Sequence, residues 1–145
     1  MVKLANTQDS GSCVRIGLAG SSPASGIDNL SKFTPFALKC SLYRQTEITY
    51  INLSNNPLLE DLHIEETLID SLDISNNKEL MVLSLSNCKN IKYLDYSNNT
   101  KLQEFFIEGT GIKSIDLSDC PDMINLACDE DTEVIGVEER IIHRH

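Results

Sequence analysis

The chain has 145 residues, with 12 Lys+Arg against 22 Asp+Glu, a formal net charge of −10, 41% hydrophobic residues and no Trp. That length gives one domain with a modest core, and the negative charge argues against nucleic acid or an anionic membrane surface as partner. No apolar run reaches the roughly 18 residues a spanning helix needs, so no membrane insertion is expected.

The charge is unevenly spread. Residues 1–45 hold five Lys/Arg against two Asp/Glu, and residues 46–145 hold seven against twenty. Such a break divides the chain into two segments of different physics. Five cysteines, an odd number without a CxxC spacing, make a complete disulfide framework unexpected. Cys88, Cys120 and Cys128 read as small buried thiols.

Residues 1–27, "MVKLANTQDSGSCVRIGLAGSSPASGI", show neither a helical nor a strand period and are rich in Ser and Gly. They lack an apolar stretch long enough for a signal peptide. Read back into codons, "MVKLANT" resembles the D-arm and "GSSP" the T-arm of a bacterial leucine transfer RNA. The segment therefore resembles the conceptual translation of a transfer-RNA gene and is expected to be disordered or artefactual, with the chain flexible before residue 28. Residues 28–39, "DNLSKFTPFALK", are expected to improvise an amino-terminal cap with Phe33 and Phe36.

Residues 40–134 repeat themselves. Apolar-x-apolar pairs begin at Ile51, Leu62, Leu72, Leu83, Leu94, Phe105, Ile115 and Leu126, in steps of 10 or 11. Odd and even members differ. Those at 51, 72, 94 and 115 read apolar-(N/D)-apolar-S-(N/D)-(N/C), and those at 62, 83, 105 and 126 are looser. Each series advances by 21 or 22 residues, so the unit is two phrases long. "CSLYRQTEI", beginning at Cys40, is a degenerate earlier member.

The stretches "ITYINLSNNPLL" (48–59), "IDSLDISNNKEL" (69–80) and "IKYLDYSNNTKL" (91–102) resemble the leucine-rich-repeat signature. The doubled phrase is similar to the short bacterial class with nested 21-residue coils. The resemblance implies a β-rich solenoid of short parallel strands with little or no helix, a non-catalytic binding role, and a secreted or cell-surface setting for an intact gene. Cys and Thr at 67, 88, 110 and 120 depart from the expected Asn.

The residues themselves give the coil a reason. Alternation at each pair turns two side chains inward and one outward, and strands this short stand only when stacked about 4.8 Å apart in parallel. The inward set is Ile51, Leu53, Leu62, Ile64, Leu72, Ile74, Leu83, Leu85, Leu94, Tyr96, Phe105, Ile107, Ile115, Leu117 and Leu126. Asn56, Asn77 and Asn99 are expected to turn inward as a ladder bonding main-chain groups of adjacent coils. A right-handed coil of about four and a half turns follows from counting phrases on the 21-residue unit.

Function, on this reading, lies on outward positions. Asp73, Asp95 and Asp116 form one file beside Ser75, Ser97 and Ser118, where neighbouring carboxylates repel and a cation, a basic partner or sugar hydroxyls could relieve them. The plainer reading is that these acids are solvated or bonded to the adjacent Ser. His63 and Phe106 face outward across Ser84, with Phe106 the one exposed aromatic expected, a candidate contact residue. "CDEDTE" (128–133) lacks the glycine and spacing of a calcium loop and reads as a solvated terminal turn. Residues 135–145 form a carboxy-terminal cap and tail, with one more strand near Val134–Val137 and His143 and His145 in a frayed end.

The sequence thus predicts a leucine-rich-repeat solenoid that binds protein or glycan, with no cofactor, no metal and no catalytic group. It is monomeric or associates end to end through uncapped strand edges. The first rival is a truncated or misannotated open reading frame without independent function. The second is an enzyme or calcium-dependent adhesin, which a calcium titration of thermal stability would separate.

Overall fold

The computed structural model describes residues 13–15, 26–27, 39–44, 48–138 and 141–145. Eleven short strands form among them and no α-helix. Seven make one parallel sheet: β1 (Cys13–Arg15), β3 (Lys39–Tyr43), β5 (Asp61–Glu65), β6 (Val82–Ser84), β7 (Glu104–Phe106), β9 (Asn125–Cys128) and β11 (Ile142–Arg144), in that order. Two parallel pairs complete the set, β2 (Gly26–Ile27) with β4 (Tyr50–Ile51) and β8 (Ser114–Asp116) with β10 (Glu133–Ile135). The chain is a leucine-rich-repeat-like β-solenoid.

The long sheet keeps the register that alternation dictates. Cys40 lies opposite Leu62, Leu62 opposite Leu83, Leu83 opposite Phe105, and Phe105 opposite Leu126. These five side chains are buried, as are Leu42, Ile64, Leu85, Ile107 and Cys128 two residues further along each coil. A fully buried Leu or Ile contributes roughly 1.5–3 kcal/mol before entropy is subtracted. Repeated coil after coil, that term holds together strands too short to persist alone.

The other side of the coil behaves differently. Strands are assigned there only at its two ends, and residues 72–74 and 94–96 carry none, contrary to the short strand expected at every pair. Local bonds take over. Asn56 N donates to Leu53 O at 3.0 Å and Leu59 N to Asn56 O at 3.1 Å, two tight turns in succession. The same two bonds recur at Asn77 and Leu80, at Asn99 and Leu102, and at Cys120 and Met123.

Behind these turns runs the interior ladder. Asn77 Nδ2 donates to Leu53 O at 3.3 Å and to Asn56 O at 2.7 Å, and Asn99 Nδ2 to Ile74 O at 3.2 Å and Asn77 O at 2.8 Å. The amides satisfy carbonyls of the preceding coil, but the Oδ1 atoms of Asn77 and Asn99 are buried without a partner among the described residues. Thiols occupy the same station elsewhere. Cys88 Sγ donates to Ile64 O at 3.1 Å and lies 3.2 Å from Thr67 Oγ1, and Cys120 Sγ reaches Asn99 O at 3.8 Å. Cys40, Cys88, Cys120 and Cys128 are all buried, the two ladder cysteines raised above the ordinary thiol pKa mainly by burial.

Several expectations change. Tyr96 is only partly buried, because its hydroxyl reaches the coil surface to donate to Asp116 O (3.0 Å) and accept from Asp116 N (2.8 Å), while its ring packs edge-on against Phe105 at 5.7 Å. The "IIHRH" end is no frayed tail: β11 pairs with β9, and His145 N donates to Cys128 O at 3.0 Å. The 128–133 run does turn at Glu130 and Asp131, with Glu130, Asp131 and Glu133 exposed as expected, but it is anchored on both sides. Cys128 and Thr132 are buried, Asp129 Oδ1 accepts from Gly109 N at 2.7 Å, and Asp131 pairs with Lys113 at 2.8 Å. Within residues 1–27, the backbone of Cys13–Arg15 pairs with Lys39–Ser41 and that of Gly26–Ile27 with Tyr50–Ile51, so parallel strand pairing extends upstream of residue 28. Over residues 40–134 the five strands β3, β5, β6, β7 and β9 fit the four and a half turns expected, and β1 and β11 add one strand at each end of the long sheet. The proposed cap with Phe33 and Phe36 lies outside the described residues.

A left-handed residue closes four rungs of the long sheet, those of β3, β5, β6 and β7: Arg44 (φ 54°), Glu66 (53°), Asn87 (62°) and Gly109 (69°). Reversing the chain there points each amide at the next coil: Arg44 N to Glu65 O, Glu66 N to Ser86 O, and Asn87 N to Glu108 O, at 2.8–3.0 Å. Gly136 (φ 88°) marks the corner after β10, where an added Cβ would stand 2.3 Å from Ser118 N, so only glycine fits.

Candidate ligand-binding faces

The outer face of the long sheet carries two rows of side chains set by the register. One row reads Ser41, His63, Ser84, Phe106, Ala127, His143. Small residues sit between large ones, so Ser84 and Ala127 are buried although they point away from the core. Ser86, two residues after Ser84, is buried likewise between Glu65 and Glu108. The result is a trough floored by two serines and walled by His63 and Glu65 on one side, Phe106 and Glu108 on the other.

Hydrogen bonds fix the walls. Ser84 Oγ donates to Glu65 Oε1 at 2.8 Å and Ser86 Oγ to Glu108 Oε1 at 2.6 Å, with the two hydroxyls 3.3 Å apart. His63 Nδ1 lies 3.5 Å from the same Glu65 oxygen. Glu108 Oε2 is buried and meets no donor among the described residues. The arrangement does not resemble a nucleophile with its base: the carboxylate lies between serine and histidine, and the hydroxyl proton is already committed to it.

The turn-rich side presents the acid file. Asp73 Oδ1 accepts from both Ser75 N (3.0 Å) and Ser75 Oγ (2.6 Å). Asp95 does the same with Ser97, and Asp116 with Ser118, within 0.1 Å of those lengths. Asn52 makes the pair of bonds to Ser54 without a charge. The serine hydroxyl first, and the serine amide second, hold all three carboxyls below the ordinary value of 3.8. Asp73 pushes Asp95 the other way, and its repulsion loses to the local bonds. The solvated-or-bonded reading of the acids is therefore the one the geometry realises.

The seven candidate residues fall on two faces. His63 and Phe106 come together across Ser84. Asp73, Asp95, Asp116, Ser75 and Ser97 stand on the turn-rich side, exposed. Phe106 is half-buried rather than the exposed aromatic expected, since it leans between small neighbours on β6 and β9. Among the described residues the exposed aromatics are Tyr93, 77% accessible, and Tyr50, 40%. Alternation carried one residue back from Ile51 and Leu94 would have found both. No cluster of three or more His, Cys, Asp or Glu side chains is placed to hold a metal among the described residues.

A further cleft of about 450 Å³ lies at the corner lined by Glu66, Thr67, Leu68, Asn87, Lys89 and Asn90. It opens where the short turn from Thr67 to Ile69 meets the one-residue-longer turn from Cys88 to Ile91, and Asn90 Nδ2 bridges the gap to Leu68 O at 3.1 Å.

No protein-family model matches the chain, and no curated protein does. Among solved structures, the functional domain of InlJ from Listeria monocytogenes, described as including a cysteine ladder, is similar at 19% identity with a TM-score of 0.45. The match covers 65% of this chain and 29% of that one, so the chain spans less than a third of that protein's length.

Proposed function

We propose that the protein is a non-catalytic binding module of leucine-rich-repeat type that takes a protein or glycan ligand on the outward faces of its coils. The observation that carries this reading is the trough on the long sheet. Its two serines tie two glutamates across β5, β6 and β7 before any ligand arrives, and Phe106 supplies an apolar contact beside them. Polar groups held in place by neighbours bind at lower entropic cost than free ones. Contact spread over several coils makes the mechanism multivalent rather than chemical. A peptide and glycan array probed with the full chain tests it. Ligands should emerge whose affinity drops about tenfold in Phe106→Ala or in Ser84→Leu, which fills the trough, with the thermal melt retained. Absence of any saturable ligand overturns the reading.

In solution the module is monomeric or joins end to end through β1 and β11, the outer strands of the long sheet. A bacterial, secreted or surface setting goes with the same reading. The rival, a truncated or misannotated frame whose residues 1–27 translate a transfer-RNA gene, requires upstream DNA that folds as structural RNA. Against it, a foreign segment has no reason to keep the coil's register, yet Val14 falls opposite Cys40 and Ile27 opposite Ile51.

A further inference from the structure

Tyr50 and Tyr93 occupy one station of the repeat, the outward position just before the first inward residue of the turn-rich side. Ser71 and Ser114 hold that station in the intervening and following coils, both exposed. The order across four coils is therefore Tyr, Ser, Tyr, Ser. Stacking is continuous along this edge: Leu68 N donates to Ile48 O at 3.2 Å, Asn90 Nδ2 to Leu68 O at 3.1 Å, and Gly111 N to Ile91 O at 2.7 Å. At about 4.8 Å per coil the two rings stand about 10 Å apart, with an open gap over Ser71.

Beside each station lies one residue of the Asx file, in the order Asn52, Asp73, Asp95, Asp116. Each spends Oδ1 on its own serine, and the second carboxylate oxygen of Asp73, Asp95 and Asp116 has no protein donor among the described residues. The surface thus offers a spare fixed acceptor in each of the three coils that carry Asp73, Asp95 and Asp116, and one aromatic ring per two coils.

We infer that this edge binds an extended β-1,4-linked glycan, one sugar per coil. In such a chain each sugar is turned half over relative to the last, so the same C–H-rich face recurs at every second unit. That is the beat of the tyrosines, which present an apolar ring with a polar tip suited to a sugar face. The carboxylates accept from sugar hydroxyls at the three units over Asp73, Asp95 and Asp116. A basic peptide strand is the obvious competitor for an acidic file. Its same-side side chains recur at about 7 Å, out of step with the coils after one residue. Tyr93, the more exposed ring and the one beside Asp95, carries the larger share.

This site rests on the binding-module reading but lies on a different face from the serine trough, so the two can fail separately. The experiment is calorimetric titration of the full chain with cellotetraose and chitotetraose, with α-linked maltotetraose as the contrast. Saturable binding to a β-1,4 tetramer is expected, about tenfold weaker in Tyr93→Ala and less affected in Tyr50→Ala, with unchanged melting curves. Ser71→Tyr combined with Tyr93→Ser keeps two rings but halves their spacing, and it should bind as poorly as Tyr93→Ala. Failure of both β-1,4 tetramers to bind, equal affinity for maltotetraose, or full affinity in the respaced variant overturns the inference. Binding that is lost in Phe106→Ala and intact in Tyr93→Ala also overturns it, while leaving the trough as the ligand site.

Discussion

Serine and carboxylate meet on both sides of this solenoid, but across different distances in sequence. On the long sheet, Ser84 bonds Glu65 and Ser86 bonds Glu108, partners 19 and 22 residues away in neighbouring coils. On the turn-rich side, Ser75, Ser97 and Ser118 each bond an aspartate two residues earlier in the same coil. The first arrangement couples one coil to the next, and the second finishes each coil by itself. Coupling on the turn-rich side comes from the interior asparagines, from the Tyr96 hydroxyl on the Asp116 backbone and from the strand pairs at the two ends.

That contrast can be broken at three strengths. The largest effect belongs to Asn77→Ala, which removes the inter-coil donor from two buried carbonyls, Leu53 O and Asn56 O, and leaves each with its turn amide alone. A loss of about 3 kcal/mol is expected, read as a lower urea midpoint, since two hydrogen bonds at roughly 1 kcal/mol each are lost and a buried cavity is left. A loss below about 1 kcal/mol would mean the turns alone hold that side. Ser86→Ala should come next. It removes a bond to a half-buried carboxylate whose other oxygen is already without a partner, for about 2 kcal/mol by the same measurement.

The smallest effect at neutral pH belongs to the triple variant Asp73→Asn, Asp95→Asn, Asp116→Asn. Asn52 shows that the neutral side chain makes the same two bonds, so the melting temperature at pH 7 should hardly move. The pH dependence should change. Because the folded carboxyls titrate below 3.8, their contribution is present above that value and fades as pH falls through the lower folded pKa values. The wild type should therefore lose stability below about pH 4 more steeply than the variant. Parallel acid melts would show the file to be energetically silent.

Much of this architecture was legible in the letters, for a physical reason. Burial of Leu62, Leu83, Phe105 and Leu126 against one another requires a constant register, and alternation displays register directly. The interior asparagines were legible because a polar residue kept at a buried station needs a partner in the next coil. Other features depend on neighbours that a linear reading does not measure. Ser84 and Ser86 are buried by the width of the residues beside them. Phe106 is half-covered because small residues flank it. β11 follows Leu126 by only 16 residues at Ile142, too short a step for the repeat to predict. Tyr50 and Tyr93 stand one residue ahead of the repeated phrases, at a station that Ser71 and Ser114 fill in the other coils, so no recurring letter marks them.

The corner turn between Cys88 and Ile91 holds one residue more than its counterparts, Thr67 to Ile69 and Thr110 to Ile112, yet Leu83 and Phe105 face each other as squarely as Leu62 and Leu83. Slack of that sort is absorbed outside the stacked rungs. A gene encoding such a chain can therefore gain or shed whole loops of the spiral by unequal recombination without matching lengths to the letter. The number of rungs, and with it the reach of any surface they present, is open to rapid evolutionary adjustment.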